Sequence, residues 1–183
     1  LDILALTPKQ HLDAASSLAL TEQKALEVGK ALATDPKLLL LDEVLGGRLP
    51  TLADLPRLVW TRCVVEETLR LYPPISFLAR EALEDESIRN RPVPKGSIVM
   101  VVPWLLHRHK ALWREPDAFN PDRFMPGSDE PVSKFAYVPF SIGPRICAGM
   151  SFGMTESILC VAAMAQKLRL TLEPGHVVEP ICR

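Results

Sequence analysis

Cys147 stands in the stretch FSIGPRICAG, residues 140–149, seven residues after Phe140, two after Arg145, and between Gly143 and Gly149. A thiolate is a soft nucleophile and a metal ligand, and glycines on both sides let a bare backbone press against something flat. A lone cysteine is most often an inert buried thiol, so the stretch reads either as a tight turn that contains a small hydrophobe or as a loop pressed against something flat and bound. Glu67 and Arg70 form a second group. Their i, i+3 spacing places a carboxylate and a guanidinium on one helix face, where they pair or share a third partner. Arg123 in NPDRF supplies another guanidinium. His107 and His109 flank Arg108 at i, i+2, and this pair reads as structural rather than metal-binding.

The elements that must position these groups follow from hydrophobic spacing. Residues 16–33 read as a helix capped by Ser16 or Ser17, with Leu18, Ala25, Val28 and Leu32 near helical period. DPKLLLLDEV then gives a turn and a buried strand ending in Asp42 and Glu43. A second helix is expected from near Pro56 to about Leu71, stopped by Pro73-Pro74. Leu58, Val65, Leu69 and Tyr72 line one face of it; Val59, Cys63, Glu67 and Arg70 line the other. Because that second face is also partly apolar, Glu67 and Arg70 are not expected to point into water. RNRPVPKGSIVMVVPWLL reads as a hairpin, with a type I turn holding Pro94 second and Gly96 fourth, and a strand over 97–102. Residues 107–139 read as loop, 148–168 as an apolar helix, and LRLTLEP as a short closing strand. Cys63 and Cys160, in apolar helices, are expected in the core.

Composition sets limits. Hydrophobic residues make up 48% and charged residues 23%, with a formal net charge of −1, so bulk charge draws the chain to neither nucleic acid nor a membrane surface. The 17 prolines lie mostly between Pro50 and Pro144, so that region needs a tie other than regular hydrogen-bond ladders. Four cysteines without CxxC or zinc spacing argue against a disulfide framework and for a reducing, cytoplasmic setting. No run of about 18 apolar residues or signal peptide is read. The opening at Leu1 and the stop at Arg183 suggest a fragment.

From roughly Val44 onward the chain resembles the C-terminal part of a cytochrome P-450, a haem-thiolate monooxygenase. Glu67-Thr68-Leu69-Arg70 matches that family's ExxR helix, Pro121-Asp122-Arg123-Phe124 its PxRF segment, and residues 140–149 its FxxGxRxCxG haem loop at every defined position. ExxR alone is a weak signal; the ten-residue loop is a strong one. The resemblance implies a mainly α fold with small β-sheets (α+β), the C-terminal half of the P-450 fold, with haem as cofactor and Cys147 as its axial thiolate. Phe140 would pack beside the sulfur, Gly143 and Gly149 would admit the porphyrin, and Arg145 and Arg80 would pair with its propionates. Glu67, Arg70 and Arg123 resemble the family's structural triad, a scaffold that does no bond-making. O2, a small organic substrate and a ferredoxin or flavoprotein reductase are the partners implied, with Lys134 and Arg169 as residues that would face the reductase.

Residues 1–43 match no part of that family. Their helix and strand resemble an ABC-transporter ATPase of the branched-chain amino-acid importer type. Leu18 to Glu22 stand at the signature motif, with Thr21 in place of a glycine, and Asp42 and Glu43 stand at the Walker B pair. No GxxxxGK[ST] occurs, so no phosphate cradle is expected. The two resemblances meet at residues 42–47, which implies a fusion of two pieces, 1–43 and 44–183. The function read from the sequence is therefore a haem-thiolate monooxygenase region. Its oxygen-activating helix has no counterpart here, so the isolated chain is expected to be inactive. A non-catalytic chimeric fragment and a residual ATP-binding module are the alternatives.

Overall fold

The computed structural model describes residues 44–130 and 132–168. The expected helix over 16–33, the strand ending at Glu43, the ATPase-like motifs and the closing strand after Leu168 lie outside the described residues. What is described is an α+β arrangement in which two helices carry the core and two small sheets and a long looped segment surround it.

Chain entry is organised by one carboxylate. Asp54 Oδ2 accepts the Thr51 backbone N–H and hydroxyl, both at 2.8 Å, while the Arg48 guanidinium forks onto the same group. Arg48 heads the groups that hold the Asp54 carboxyl well below the usual carboxylate range. This caps a 3-10 helix, Leu52–Arg57, that contains Pro56. Helix α1 is Val59–Leu71, starting three residues later than expected. The reason is local: Pro56 is accommodated in the tighter helix, and Leu58 then leaves helical geometry with ψ at 44° before α1 begins.

The two faces of α1 divide as their spacing predicts. Leu58 and Val65 join Leu45, Ile158, Val161 and Ala162 in the buried core, with Leu69 packed against it. The last three belong to α3, Met150–Lys167, the expected apolar helix. The opposite face of α1 meets a 3-10 turn at Pro121–Phe124, and there Cys63 Sγ sits 3.5 Å from Met125 Sδ. Cys63 is buried as expected, its thiol pushed up to about 11 chiefly by that burial. Cys160 is not: it lies on the exposed side of α3, because only the Ile158, Val161, Ala162 and Met164 stripe faces inward. No helix among the described residues is long and apolar enough to cross a membrane.

The hairpin differs from expectation. Strand β1, Leu78–Glu81, pairs antiparallel with β4, Ile98–Val101, with Arg80 opposite Val99. Between them β2, Glu86–Ile88, and β3, Arg91–Val93, make a tight hairpin closed by Arg89 and Asn90, both left-handed at φ 50° and 62°. Left-handed backbone at both central positions is what matches the twist of two-residue hairpins. The segment Pro94-Lys95-Gly96 therefore does not join paired strands. Ser97 N–H bonds Pro94 O at 3.0 Å and Gly96 has φ 82°, so proline is first and glycine third, the type II requirement. A short helix, α2, Pro103–Leu106, follows the sheet.

Candidate functional site

The three charged residues singled out for scaffolding come together. Glu67 and Arg70 are fully buried, and Arg123 is 3% exposed. Arg70 Nε donates to Glu67 Oε2 at 2.6 Å, and Nη2 donates to Glu67 Oε1 at 2.8 Å and to Ala118 O at 2.9 Å. Nη1 donates to His107 O at 2.8 Å and Pro116 O at 2.6 Å. All five guanidinium N–H groups are thus used, and three of them hold carbonyls of the looped segment. The Trp113 ring covers the same guanidinium at 5.1 Å.

Glu67 Oε1 also accepts the Asn120 backbone N–H at 2.7 Å and lies 3.4 Å from Arg123 Nε. That Nε makes an ion pair with no hydrogen bond. Arg123 spends its other nitrogens on Glu130 Oε2 at 2.6 Å and Glu115 O at 2.9 Å. Glu130, which the spacing of residues does not single out, also accepts the Arg114 N–H at 2.7 Å. Its carboxylate makes the network neutral, two guanidinium groups against two carboxylates. A buried network tolerates charge only when it is balanced and hydrogen-bonded in this way.

His107 is structural, as read, and its role is specific. It is buried between Arg70 O, 3.1 Å from Nδ1, and the Val138 N–H, which donates to Nε2 at 2.9 Å. Since Nε2 accepts, Nδ1 carries the proton and the ring is neutral. Burial, with Arg70 and Arg108 close by, pushes its pKa down to about 4. His109 is exposed and accepts the Ala111 N–H; no cluster that could hold a metal ion is found among the described residues.

The cysteine loop is built differently. Ser141 N–H bonds Val138 O at 3.1 Å, Cys147 N–H bonds Phe140 O at 2.9 Å, and Met150 N–H bonds Cys147 O at 3.2 Å. These close a turn whose side chains face outward: Arg145, Ile146 and Cys147 are exposed, and Phe140 is half-buried. Gly143 has φ 75° with open space where a Cβ would stand, so its glycine is required by backbone geometry. Ser141, at φ 66°, shares the left-handed region without being glycine. Gly149 has φ −85°, and a Cβ there would meet Cys147 Sγ at 3.8 Å. That is an ordinary contact distance, and the backbone at Gly149 takes no left-handed step. Arg80 lies on β1 and donates to Ala79 O, and it takes no part in the backbone bonds that close the cysteine loop.

The exposed Cys147 thiol is a soft atom able to ligate a metal, the exposed Ile146 and Phe152 side chains offer apolar surface, and the exposed Arg145 guanidinium is able to pair with a carboxylate.

A match to the family described as Cytochrome P450 covers residues 41–183. Cyclooctatin synthase of Streptomyces melanosporofaciens is 44% identical over 140 residues, which is 76% of this chain and 30% of that protein. Cyclooctat-9-en-7-ol 5-monooxygenase of the same organism is 37% identical over 135 residues, 74% of this chain and 29% of its own length. Cytochrome P450 4V2 of Mus musculus is 38% identical over 129 residues, 69% and 25% respectively. The chain therefore spans less than a third of the length of these curated relatives.

Two outcomes follow from the buried network. Arg70→Lys keeps the charge but offers three donors in place of five, and should destabilise the chain by about 3 kcal/mol in urea titration, with no recovery at high salt. For His107 the native pKa lies below the unfolded one, so its stabilisation is complete above about pH 6.5 and is lost as pH falls towards about 4. Urea midpoints measured across that window should fall for the native sequence and fall less for His107→Gln.

Proposed function

The chain belongs to the cytochrome P450 family, and we propose that residues 44–183 are the haem-binding part of a monooxygenase, with Cys147 as the iron ligand. Members of the family bind haem through a cysteine thiolate; when bound, the haem supplies dioxygen activation and insertion of one oxygen atom into an organic substrate. The observation that carries the reading is the exposed Cys147 thiol on a loop closed by its own N–H to Phe140 O. Cys147 Sγ binds the metal. Gly149 keeps the space next to that sulfur free of side chain. Phe140, half-buried behind the turn, limits water on the sulfur's inner side. Arg145 and Arg80, both exposed, bind the two carboxylates of the group and orient it. Glu67, Arg70 and Arg123 stay out of the chemistry and hold the looped segment in place.

The whole protein acts, in this reading, on a small organic substrate with electrons from a ferredoxin or flavoprotein reductase. Its three free cysteines among the described residues fit a reducing compartment, which we take to be the cytoplasm. The 183-residue chain by itself carries no counterpart of the family's oxygen-activating helix, so in this reading it has little or no turnover.

We assign residues 1–43 to a separate ATPase-like piece joined to this region, one that binds no nucleotide because the sequence carries no phosphate-cradling loop. Titration with ATP and Mg²⁺ should show no saturable binding below ~1 mM, a concentration equivalent to about 4 kcal/mol of binding energy; saturation below that would reinstate an ATP-binding module.

The central test is reconstitution with haemin. The reduced, CO-treated chain should show the thiolate-shifted Soret band, and Cys147→Ala should abolish it. Identical spectra from the two proteins would end the assignment.

A further inference from the structure

We propose that His107 is a positioning residue for the cysteine loop, acting through the Val138 backbone N–H. The inference rests on the haem-binding reading for its consequence, though not for its geometry. His107 is the one imidazole among the described residues held at both nitrogens by backbone partners, Arg70 O at 3.1 Å and Val138 N–H at 2.9 Å. Those partners belong to the two parts that must be aligned. Arg70 sits in the last turn of α1, inside the charged network; Val138 begins the turn that leads to Cys147.

A short relay continues from there. Val138 O accepts the Ser141 N–H at 3.1 Å, Ser141 holds a left-handed conformation, and the neighbouring Phe140 O accepts the Cys147 N–H at 2.9 Å. Val138 itself is 6% exposed, so its N–H has no water to turn to if the imidazole is lost. The same ring rests on Tyr137 at 5.4 Å, and the Tyr137 hydroxyl donates to Glu66 O at 3.0 Å. The start of the cysteine loop is thereby tied to α1 from two consecutive residues. The neutral imidazole suits this place because it offers one donor and one acceptor on opposite sides of a rigid ring. A charged ring would lose the acceptor and sit beside Arg70 and Arg108.

Carboxamide side chains also carry both a donor group and an acceptor, which gives the test its rescue arm. In the full chain, His107→Phe should speed exchange of both the Val138 and the Cys147 amides by about tenfold or more, leaving the Val161 and Ala162 amides of α3 unchanged. His107→Gln should restore most of the protection. Haemin affinity should fall by a similar factor in the phenylalanine variant and recover in the glutamine one. If the phenylalanine variant loses its helical circular dichroism, His107→Asn, whose shorter stem reaches only one partner, is measured instead, with the same exchange expected. Faster exchange at Val138 with the Cys147 amide unaffected would overturn the proposal, since the ring would then hold only its own bond. Absence of a Cys147-dependent haem spectrum in the native chain would overturn the haem-binding reading alone, leaving the exchange data to decide the role of His107.

Discussion

One guanidinium holds this protein's irregular half together. Arg70 points all five of its N–H groups at oxygens, two on Glu67 and one each on His107, Pro116 and Ala118. A proline-rich segment cannot satisfy its carbonyls in ladders, because each proline removes a donor and fixes a backbone angle. A rigid, permanently charged fork on a neighbouring helix does that job instead, and it does so for carbonyls on both sides of Trp113. The cost is two buried arginines, which is tolerable only because Glu67 and Glu130 cancel them at hydrogen-bonding distance.

From that anchor the constraint runs outward. Arg123 and the Asn120 N–H both reach Glu67, which pins the Pro121–Phe124 turn to α1. Trp113, Phe124, Tyr137 and His107 pack as an aromatic layer beside the network. This layer keeps water from the ions, so the same contacts that fill space also strengthen the electrostatics. α3 closes the other side through an apolar stripe that meets Leu58 and Val65. Scaffold and loop are therefore separated: the paired charges are buried, and the Cys147 thiol is exposed on its loop.

The loop itself is economical in how it gains its shape. Gly143 supplies a left-handed step that other residues rarely adopt, and Ser141 accepts a similar step because the surrounding hydrogen bonds over-determine it. Gly149, at φ −85°, takes no such step, and its missing Cβ would meet Cys147 Sγ only at an ordinary contact distance. A glycine's presence in a motif does not say which of these jobs it does; its φ angle and the atom its missing Cβ would meet do.

Much of this could be read from residue order alone. The two-faced pattern of α1, the apolar run of α3 and the burial of Glu67 and Arg70 all follow from local spacing, because helical period is a short-range property. The N-terminal ATPase-like reading lies outside the described residues and stays a reading of sequence. What only the tertiary structure decided were partners far apart along the chain. β1 pairs with β4 across an inserted hairpin, Glu130 completes the charge balance, His107 bridges Arg70 and Val138, and Cys160 turns outward. Arg70 finds its carbonyls 37, 46 and 48 residues away. No periodicity encodes such pairings: they depend on the path of loops, and a loop's path is set by which buried donors and acceptors it must satisfy once the core has closed.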